Sequence, residues 1–436
     1  MGERKMTKDY DILRSEVTDG LVRLAEGLSE EELKANADNI KIILGEAYET
    51  VIGILKKYLD IREEYYPLVT IWIIGTYIHN EFETYPYLFI NAMRGSGKTR
   101  FLRLIEALSH NGELVSSLKE AVLFRDCKGK TLLIDEFESI MSKENQSLRE
   151  LLNAGYKKGN KVKRMKRVRK EGKEDYEVET FDVYVPICMA NIWGVEEVLA
   201  DRCVTMILEK SNNPSILRYV ERFKHIPEVF WVKKVFLNNL VQLCSFFDVG
   251  GVLDRWNSYV EKKYCQMNNI YTQTTLTTLT TQTTPNLEEL KMFNKIDETG
   301  INGRNLELWM PLLLSAKMIG ESVFDDLLKI AGTLTKEKKS EEMTESRDVM
   351  VYDFVSQQPF TNDFTSIKDL TYQFREFIGN QEGDDKWIND RWFGRALKRL
   401  KLDLDKRRLR HGVEIRLNIS KAIEKMHIFK QEVKND

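Results

Sequence analysis

The feature that most constrains the fold is a glycine-rich turn between an apolar run and an amphipathic run. Residues 87–105 read Tyr-Leu-Phe-Ile-Asn-Ala-Met-Arg-Gly-Ser-Gly-Lys-Thr-Arg-Phe-Leu-Arg-Leu-Ile, which is the order of a buried strand, a tight turn and a helix. In such a turn, backbone N–H groups and the helix N-terminus can face phosphate oxygens closely. The segment therefore predicts a phosphate-binding loop.

The same segment predicts which residues hold a nucleotide. Lys98 is expected to contact the β- and γ-phosphates of ATP, and the Thr99 hydroxyl to bind Mg²⁺. Ala92 stands where the motif usually has its first glycine, and alanine tolerates fewer backbone conformations. The predicted ATP-binding residues are Arg94, Gly95, Ser96, Gly97, Lys98, Thr99 and Arg100.

Two adjacent carboxylates follow a second apolar run, Lys130-Thr-Leu-Leu-Ile-Asp-Glu. A run of this kind is a weak motif alone, but its place after a phosphate-binding loop strengthens it. Asp135 is predicted to act at Mg²⁺, directly or through a water, and Glu136 to polarise the attacking water.

Two further polar residues lie at the ends of predicted strands. Asn191 ends the run Pro186-Ile-Cys-Met-Ala-Asn and is predicted to orient the attacking water, although an isolated Asn is more often a turn residue. Arg202 precedes another strand and is predicted to reach a neighbouring subunit's γ-phosphate; the alternative is a surface salt bridge with Asp201. Arg218 or Arg222 could contact phosphate within the subunit.

The chain has 436 residues, which is too long for one ordinary hydrophobic core. Helical periodicity indicates a helical N-terminal region over residues 1–61, and alternating strands and helices indicate a core over residues 62–212. Residues 213–265 are predicted to be a helical lid, 266–290 a Thr-rich linker or insertion, and 291–340 a helical segment. Residues 341–436 show three helical patterns followed by a hairpin, the order of a winged helix.

The quoted motifs, together with Leu151-Leu-Asn-Ala-Gly-Tyr, Leu199-Ala-Asp-Arg and Asn305-Leu-Glu-Leu-Trp-Met-Pro-Leu-Leu, resemble those of phage- and plasmid-borne AAA+ ATPases of a domain-of-unknown-function family. That family is similar to superfamily 3 and primase-associated replicative helicases. The resemblance covers most of the chain after about residue 62, but neither the N-terminal region nor the Thr-rich insertion. It implies an α/β AAA+ P-loop core, hexameric rings, Mg²⁺-ATP hydrolysis and DNA translocation. It also implies a mobile genetic element as the source, a virus or plasmid, with archaeal elements among the candidates.

A first basic cluster lies between Tyr156 and Lys173, and its second half alternates like a strand. The two halves are predicted to pair as a hairpin turning near residues 171–173, and the resemblance implies that this hairpin grips DNA in the ring channel. Lys and Arg contacts to phosphates would be salt-sensitive and largely independent of sequence; a solvated charged face is the alternative. The predicted DNA contacts are Lys161, Lys163, Arg164, Lys166, Arg167, Arg169 and Lys170.

A second basic cluster is C-terminal. Apolar Phe393, Leu397 and Leu400 are expected to pack inward while cations face outward, as in a helix that enters a major groove, with Gly412 turning the wing. A winged helix that contacts only protein is the alternative. The predicted DNA contacts are Arg391, Arg395, Lys398, Arg399, Arg407, Arg408 and Arg410.

Composition adds a few limits. The formal net charge is −2, so only local clusters argue for nucleic acid. Five scattered cysteines, with no metal-ligand spacing, are expected to be reduced thiols in a host cytosol, and no apolar segment reaches the length of a membrane span.

These features predict an ATP-dependent DNA helicase or translocase, acting as a homo-oligomer, with a primase as a candidate partner. An ATP-switched origin-binding or regulatory protein without unwinding activity is the alternative. A nucleotide or metabolite kinase would leave the basic clusters and Arg202 unexplained.

Overall fold

A computed structural model of the chain describes residues 30–92, 95–115, 127–135, 146–170, 173–191, 195–220, 222–265, 284–345, 347–360, 363–379, 388–409 and 412–434. These residues form two compact units, which divide between Gly332 and Thr333. The described helices of the first unit are α1 (Glu30–Tyr58), α2 (Tyr65–Thr76), α3 (Lys98–Leu108), α4 (Gln146–Ala154), α5 (Glu197–Ala200), α6 (Pro214–Arg218), α7 (Pro227–Phe247), α8 (Val249–Val260), α9 (Leu287–Glu298), α10 (Gly303–Ile319) and the start of α11 (Glu321–Glu345). Its strands are β1 (Tyr87–Ala92), β2 (Gly112–Val115), β3 (Thr131–Ile134), β4 (Lys161–Lys170), β5 (Lys173–Asp182), β6 (Ile187–Asn191) and β7 (Cys203–Leu208).

A parallel five-stranded sheet organises the first unit, which confirms the predicted mixed α/β core. Its strand order is β2-β3-β6-β1-β7, and every pair of neighbours is parallel. The strands are short apolar runs because helices cover a parallel sheet on both faces. β6 begins at Ile187, one residue after the start of its apolar run, because Pro186 has no N–H for the ladder. The Pro186 carbonyl still accepts from Leu132 N at 3.0 Å.

The most apolar segment of the chain is the buried helix α2, as its composition predicts. The indole Nε1 of Trp72, in α2, donates a hydrogen bond to the carbonyl of Pro86, just before β1, at 2.9 Å. Tyr85 donates its hydroxyl to the carbonyl of Trp72 at 2.6 Å. These two bonds fix the entry to β1 against α2.

Gly75 in α2 leaves room for Tyr85. A Cβ built on Gly75 would lie 2.1 Å from the Tyr85 hydroxyl oxygen, so Gly75→Ala displaces a buried ring and breaks its hydrogen bond. We expect Gly75→Ala to lower the free energy of unfolding by about 2–3 kcal/mol, measured by urea denaturation.

Gly53→Ala is the matched control for this prediction. A Cβ on Gly53, within α1, meets no atom within 4 Å, so alanine should stabilise by up to ~1 kcal/mol through helix propensity. Equal effects of the two substitutions would contradict the packing of Tyr85 on α2.

Two of the sequence-based boundaries differ from the structure. The predicted linker over residues 266–290 gives way to α9 at Leu287, because Asn286 and Glu289 form a reciprocal capping box; residues 266–283 lie outside the described part. The charged run after Thr335 continues α11 to Glu345, because Lys and Glu are good helix formers.

The second unit packs helices on a small antiparallel sheet. Its described elements are the end of α11, α12 (Arg347–Ser356), β8 (Thr365–Ser366), α13 (Ile367–Phe377), α14 (Asp390–Arg399), β9 (Asp403–Leu409), β10 (Gly412–Leu417) and α15 (Ile419–Lys434). The strand order is β8-β10-β9, with antiparallel neighbours. The three helical patterns and the hairpin are confirmed, whereas β8 and α15 were not predicted.

The core of the second unit is aromatic and aliphatic. Phe354, Phe374 and Phe393 bring α12, α13 and α14 together, with the rings of Phe374 and Phe393 4.9 Å apart. Gly394 allows a close approach, since a Cβ there would lie 3.2 Å from Ile367 Cδ1. The packing of Phe393 and Gly394 against the core therefore determines which side of α14 is exposed.

Two smaller observations concern cysteines and membranes. Cys127, Cys188, Cys203 and Cys244 are buried free thiols. Among the described helices, none has both the length and the apolarity that crossing a bilayer requires.

Candidate functional site

The glycine-rich turn adopts the backbone that its sequence predicts. Gly95 and Gly97 have φ values of 79° and 92°, in the left-handed region that glycine adopts without strain. Gly97 is the N-cap residue of α3, so Lys98 is the first helical residue. The Ser96 hydroxyl is buried and has no hydrogen-bond partner among the described residues. A turn with these features, leading into a helix N-terminus, can accept an anion.

The side chains of Thr99 and Asp135 lie within hydrogen-bonding distance of each other. The Thr99 hydroxyl donates to Asp135 Oδ2 at 2.7 Å, although Thr99 follows β1 and Asp135 follows β3. A hydroxyl and a carboxylate at this distance supply the hard oxygen ligands that Mg²⁺ prefers, alongside phosphate oxygens. Both residues therefore fit the predicted metal role. Glu136 and Arg94 lie outside the described residues.

Asn191 lies at the end of the strand between β1 and β3. It ends β6, the strand inserted between β1 and β3, and its Cα pairs in register with that of Asn91 in β1. Its side chain is buried. The end of β6 is thus adjacent both to β1, which leads into the glycine-rich turn, and to β3, which precedes Asp135.

Arg100 contacts backbone carbonyls in the segment that follows β7. Its guanidinium donates to the carbonyls of Ile216 and Tyr219, the latter at 2.8 Å. These contacts hold the end of α6 against α3. An additional contact of Arg100 with ATP stays a prediction.

Arg202, the predicted arginine in trans, bonds within its own subunit in this structure. Its guanidinium donates to the carbonyls of Asn153, at 3.1 Å, and Val198, and lies 5.2 Å from the centroid of the Tyr156 ring. The ion pair of Asp201 is with Arg304, at 3.4 Å. These contacts therefore do not support the alternative prediction, a salt bridge between Asp201 and Arg202.

Arg304 is a member of this cluster that sequence reasoning missed. It is the second residue of α10, donates to the Tyr156 hydroxyl at 2.7 Å and lies 5.2 Å from the Tyr156 ring centroid. Tyr156 thus contacts two guanidiniums, those of Arg202 and Arg304. Glu307 adds an ion pair to Lys157 at 2.7 Å, which raises the pKa of that lysine through its hydrogen bond. The helical segment predicted over residues 291–340 includes this helix, but no sequence signal gave Arg304 a role.

The first basic cluster forms the predicted hairpin. β4 and β5 are antiparallel, and their register runs from Lys161 opposite Asp182 to Lys170 opposite Lys173. The turn at residues 171–172, and the side chains of Lys166, Arg167, Arg169 and Lys170, lie outside the described part. The hairpin itself is confirmed, and its contact with DNA stays a prediction.

The two faces of the hairpin differ. On one face Val162 and Phe181 pack against the hydrophobic core under the sheet, and Arg164 lies 3.9 Å from Glu150. On the other face Met165, Tyr176 and Val178 are 65%, 59% and 59% exposed, and Lys161 and Lys163 alternate onto the same side. The outer face therefore combines cations with exposed apolar groups.

The C-terminal cations divide into paired and unpaired groups. Arg399 bonds Asp348, and Arg407 pairs with Glu414 at 2.6 Å and lies 4.3 Å from the Phe364 ring centroid. Arg391, Arg395, Lys398 and Arg408 are exposed and form no ion pair with any acidic residue that the structure describes. Arg410 lies outside the described residues.

This division predicts unequal contributions to DNA binding. We expect Arg395→Ala to raise the Kd for a labelled duplex by about 3–10-fold and to lower the salt slope of binding by about 1, because one phosphate contact is lost. Arg407→Ala should change the Kd by less than about twofold, because Glu414 already neutralises that guanidinium. Fluorescence anisotropy at several salt concentrations measures both, and equal losses would contradict the division.

Within the described residues, no group of three or more His, Cys, Asp and Glu side chains could hold a metal ion. A cation at Thr99 and Asp135 would therefore complete its coordination with phosphate oxygens and water, as Mg²⁺ does in nucleotide sites.

Comparisons with known proteins give a distant structural likeness. No family model matches the chain, and no curated protein matches it. Among solved structures, the chain is similar to the C-terminal region of NrS-1 in its A-form apo structure, at 9% identity and a TM-score of 0.29. That match covers 86% of this chain and 75% of the other.

Proposed function

We propose that this chain is an Mg²⁺-dependent ATPase of the AAA+ type that acts on DNA as a helicase or translocase. The observation that carries the proposal is the hydrogen bond between Thr99 and Asp135 at the mouth of a glycine-rich loop. It brings together the two oxygen ligands that a phosphate-binding loop and an acidic strand contribute to nucleotide-bound Mg²⁺.

The order of the strands supports the AAA+ assignment. Insertion of β6 between β1 and β3 separates the phosphate-binding strand from the acidic strand by one strand that ends in Asn191. We assign this amide the role of orienting the attacking water, which Glu136 would polarise. Hydrolysis, which needs a positioned water, is therefore favoured over transfer of phosphate to a small acceptor.

Two surfaces support DNA as the substrate on which the ATPase works. The outer face of the β4–β5 hairpin carries cations, and the exposed face of α14 carries Arg391, Arg395 and Lys398. Cations in such numbers provide salt-sensitive affinity for a phosphate backbone. We assign the second unit as a winged helix, in which α14 enters the major groove and β9–β10 is the wing.

The proposal includes a ring whose ATP sites lie between subunits. Arg202 lies just before the edge strand β7, where the next subunit's nucleotide can be reached. An arginine supplied in trans stabilises charge in the transition state of phosphoryl transfer.

The test is unwinding of a forked duplex with ATP and Mg²⁺, beside a hydrolysis assay and the Glu136→Gln variant. We expect the wild type to separate strands and the variant to bind ATP without turnover. DNA-stimulated hydrolysis without strand separation would support the translocase or the ATP-switched initiator instead. Absence of hydrolysis, or transfer of phosphate to a small acceptor, would contradict the proposal.

A further inference from the structure

Lys210 lies at the sheet edge where the phosphate loop begins. β7 pairs in parallel with β1, and Leu208 is in register with Ala92. Lys210 comes two residues after Leu208, and the glycine-rich loop comes directly after Ala92. Since the carboxyl ends of adjacent parallel strands share one edge, Lys210 and the loop are brought to the same place.

The side chain of Lys210 approaches the loop itself. A Cβ built on Gly95 would lie 3.6 Å from Lys210 Cε, so the end of this side chain lies beside the left-handed turn. Lys210 is exposed and makes no ion pair with any acidic residue in the described part of the chain. The end of the Lys210 side chain therefore lies beside the loop, and none of the acidic residues that the structure describes neutralises its ammonium group.

The segment that carries Lys210 is held in place from both sides. Ser211 donates its hydroxyl to Asp60 at 2.6 Å, and Asn213 caps α6 by accepting from Ser215 N at 3.0 Å. Arg100, in the helix of the phosphate loop, donates to the carbonyls of Ile216 and Tyr219. These contacts tie the backbone that follows Lys210 to Asp60 and to α3.

We propose that Lys210 is a second phosphate-binding lysine, which contacts the polyphosphate of the nucleotide from the side opposite Lys98 and in the same subunit. The inference rests on the proposed ATP site. Lysine suits the role because a flexible stem carries a compact charge with three donors. Because Lys210 directly precedes the segment that Arg100 ties to α3, the same residue would link phosphate occupancy to the position of α6.

The experiment measures the affinity of a fluorescent ATP analogue with Mg²⁺ for the full chain. We expect Lys210→Ala to raise the Kd about tenfold, as loss of one charge-assisted hydrogen bond implies, and Lys210→Arg to stay within about threefold of the wild type. Glu209→Ala, a change of the adjacent exposed residue, should bind as the wild type does.

The outcomes separate this inference from the proposed function. Wild-type affinity in Lys210→Ala, or equal losses in Lys210→Ala and Glu209→Ala, would overturn the role of Lys210 and leave the ATP site standing. If the wild type binds no ATP while correctly folded, the proposed function and this inference fail together.

Discussion

Replacement of Lys98 by alanine is expected to reduce ATP turnover at least about 100-fold, because it removes a cation aimed at the charge that develops on the transferred phosphate. Lys98 is the first residue of α3 and follows the left-handed Gly97, so its side chain starts at the helix N-terminus. Release of inorganic phosphate at saturating ATP measures the loss.

Lys41→Ala is the control for this prediction. Lys41 is an exposed lysine of α1, paired only loosely with Asp38 at 4.0 Å, and its removal should leave turnover unchanged. Thermal unfolding of both variants checks that they fold. Unchanged hydrolysis in Lys98→Ala would place the ATP site elsewhere in the chain.

Arg202→Ala is expected to lower turnover about a thousandfold, the scale of an arginine supplied to a transferring phosphate, while ATP binding persists. To act in trans, Arg202 must exchange its bonds to the Asn153 and Val198 carbonyls for bonds to phosphate oxygens. The exchange is favourable because a bond between two charged groups is stronger than one to a neutral carbonyl.

Mixing of variants distinguishes a role in trans from a role in cis. Subunits with Arg202→Ala keep an intact Lys98, and subunits with Lys98→Ala keep an intact Arg202, so a mixed ring regains complete sites between the two. We expect the mixture to recover activity that neither variant has alone. Arg407→Ala controls for loss of an arginine elsewhere, and a mixture that stays inactive would contradict the role in trans.

The elements of the proposed nucleotide site could be predicted because their signals are local. A strand, a turn that needs positive φ and an amphipathic helix each constrain a few neighbouring residues, and β1, Gly95, Gly97 and α3 follow from them. The C-terminal helices and hairpin were predictable for the same reason. Local patterns also predicted the antiparallel pairing of β4 with β5.

Contacts between distant segments could not be predicted. The Tyr156 ring meets Arg304, which lies 148 residues later, and no periodicity links the two positions. The same holds for Lys210 beside Gly95. The length of α11 is a different case: the helical segment was predicted to end in the charged run after Thr335, but Lys and Glu residues there continue the helix to Glu345.

The hairpin and Asn191 are joined by very little chain. Asp182 ends β5 and Ile187 begins β6, and Val183, Tyr184 and Val185 between them are buried. The Tyr184 hydroxyl is anchored to the carbonyls of His79 and Phe82, each at 2.9 Å. Because this short connection is buried and anchored, we expect that DNA pulling on the hairpin, under the proposed function, would displace Asn191 at the end of β6.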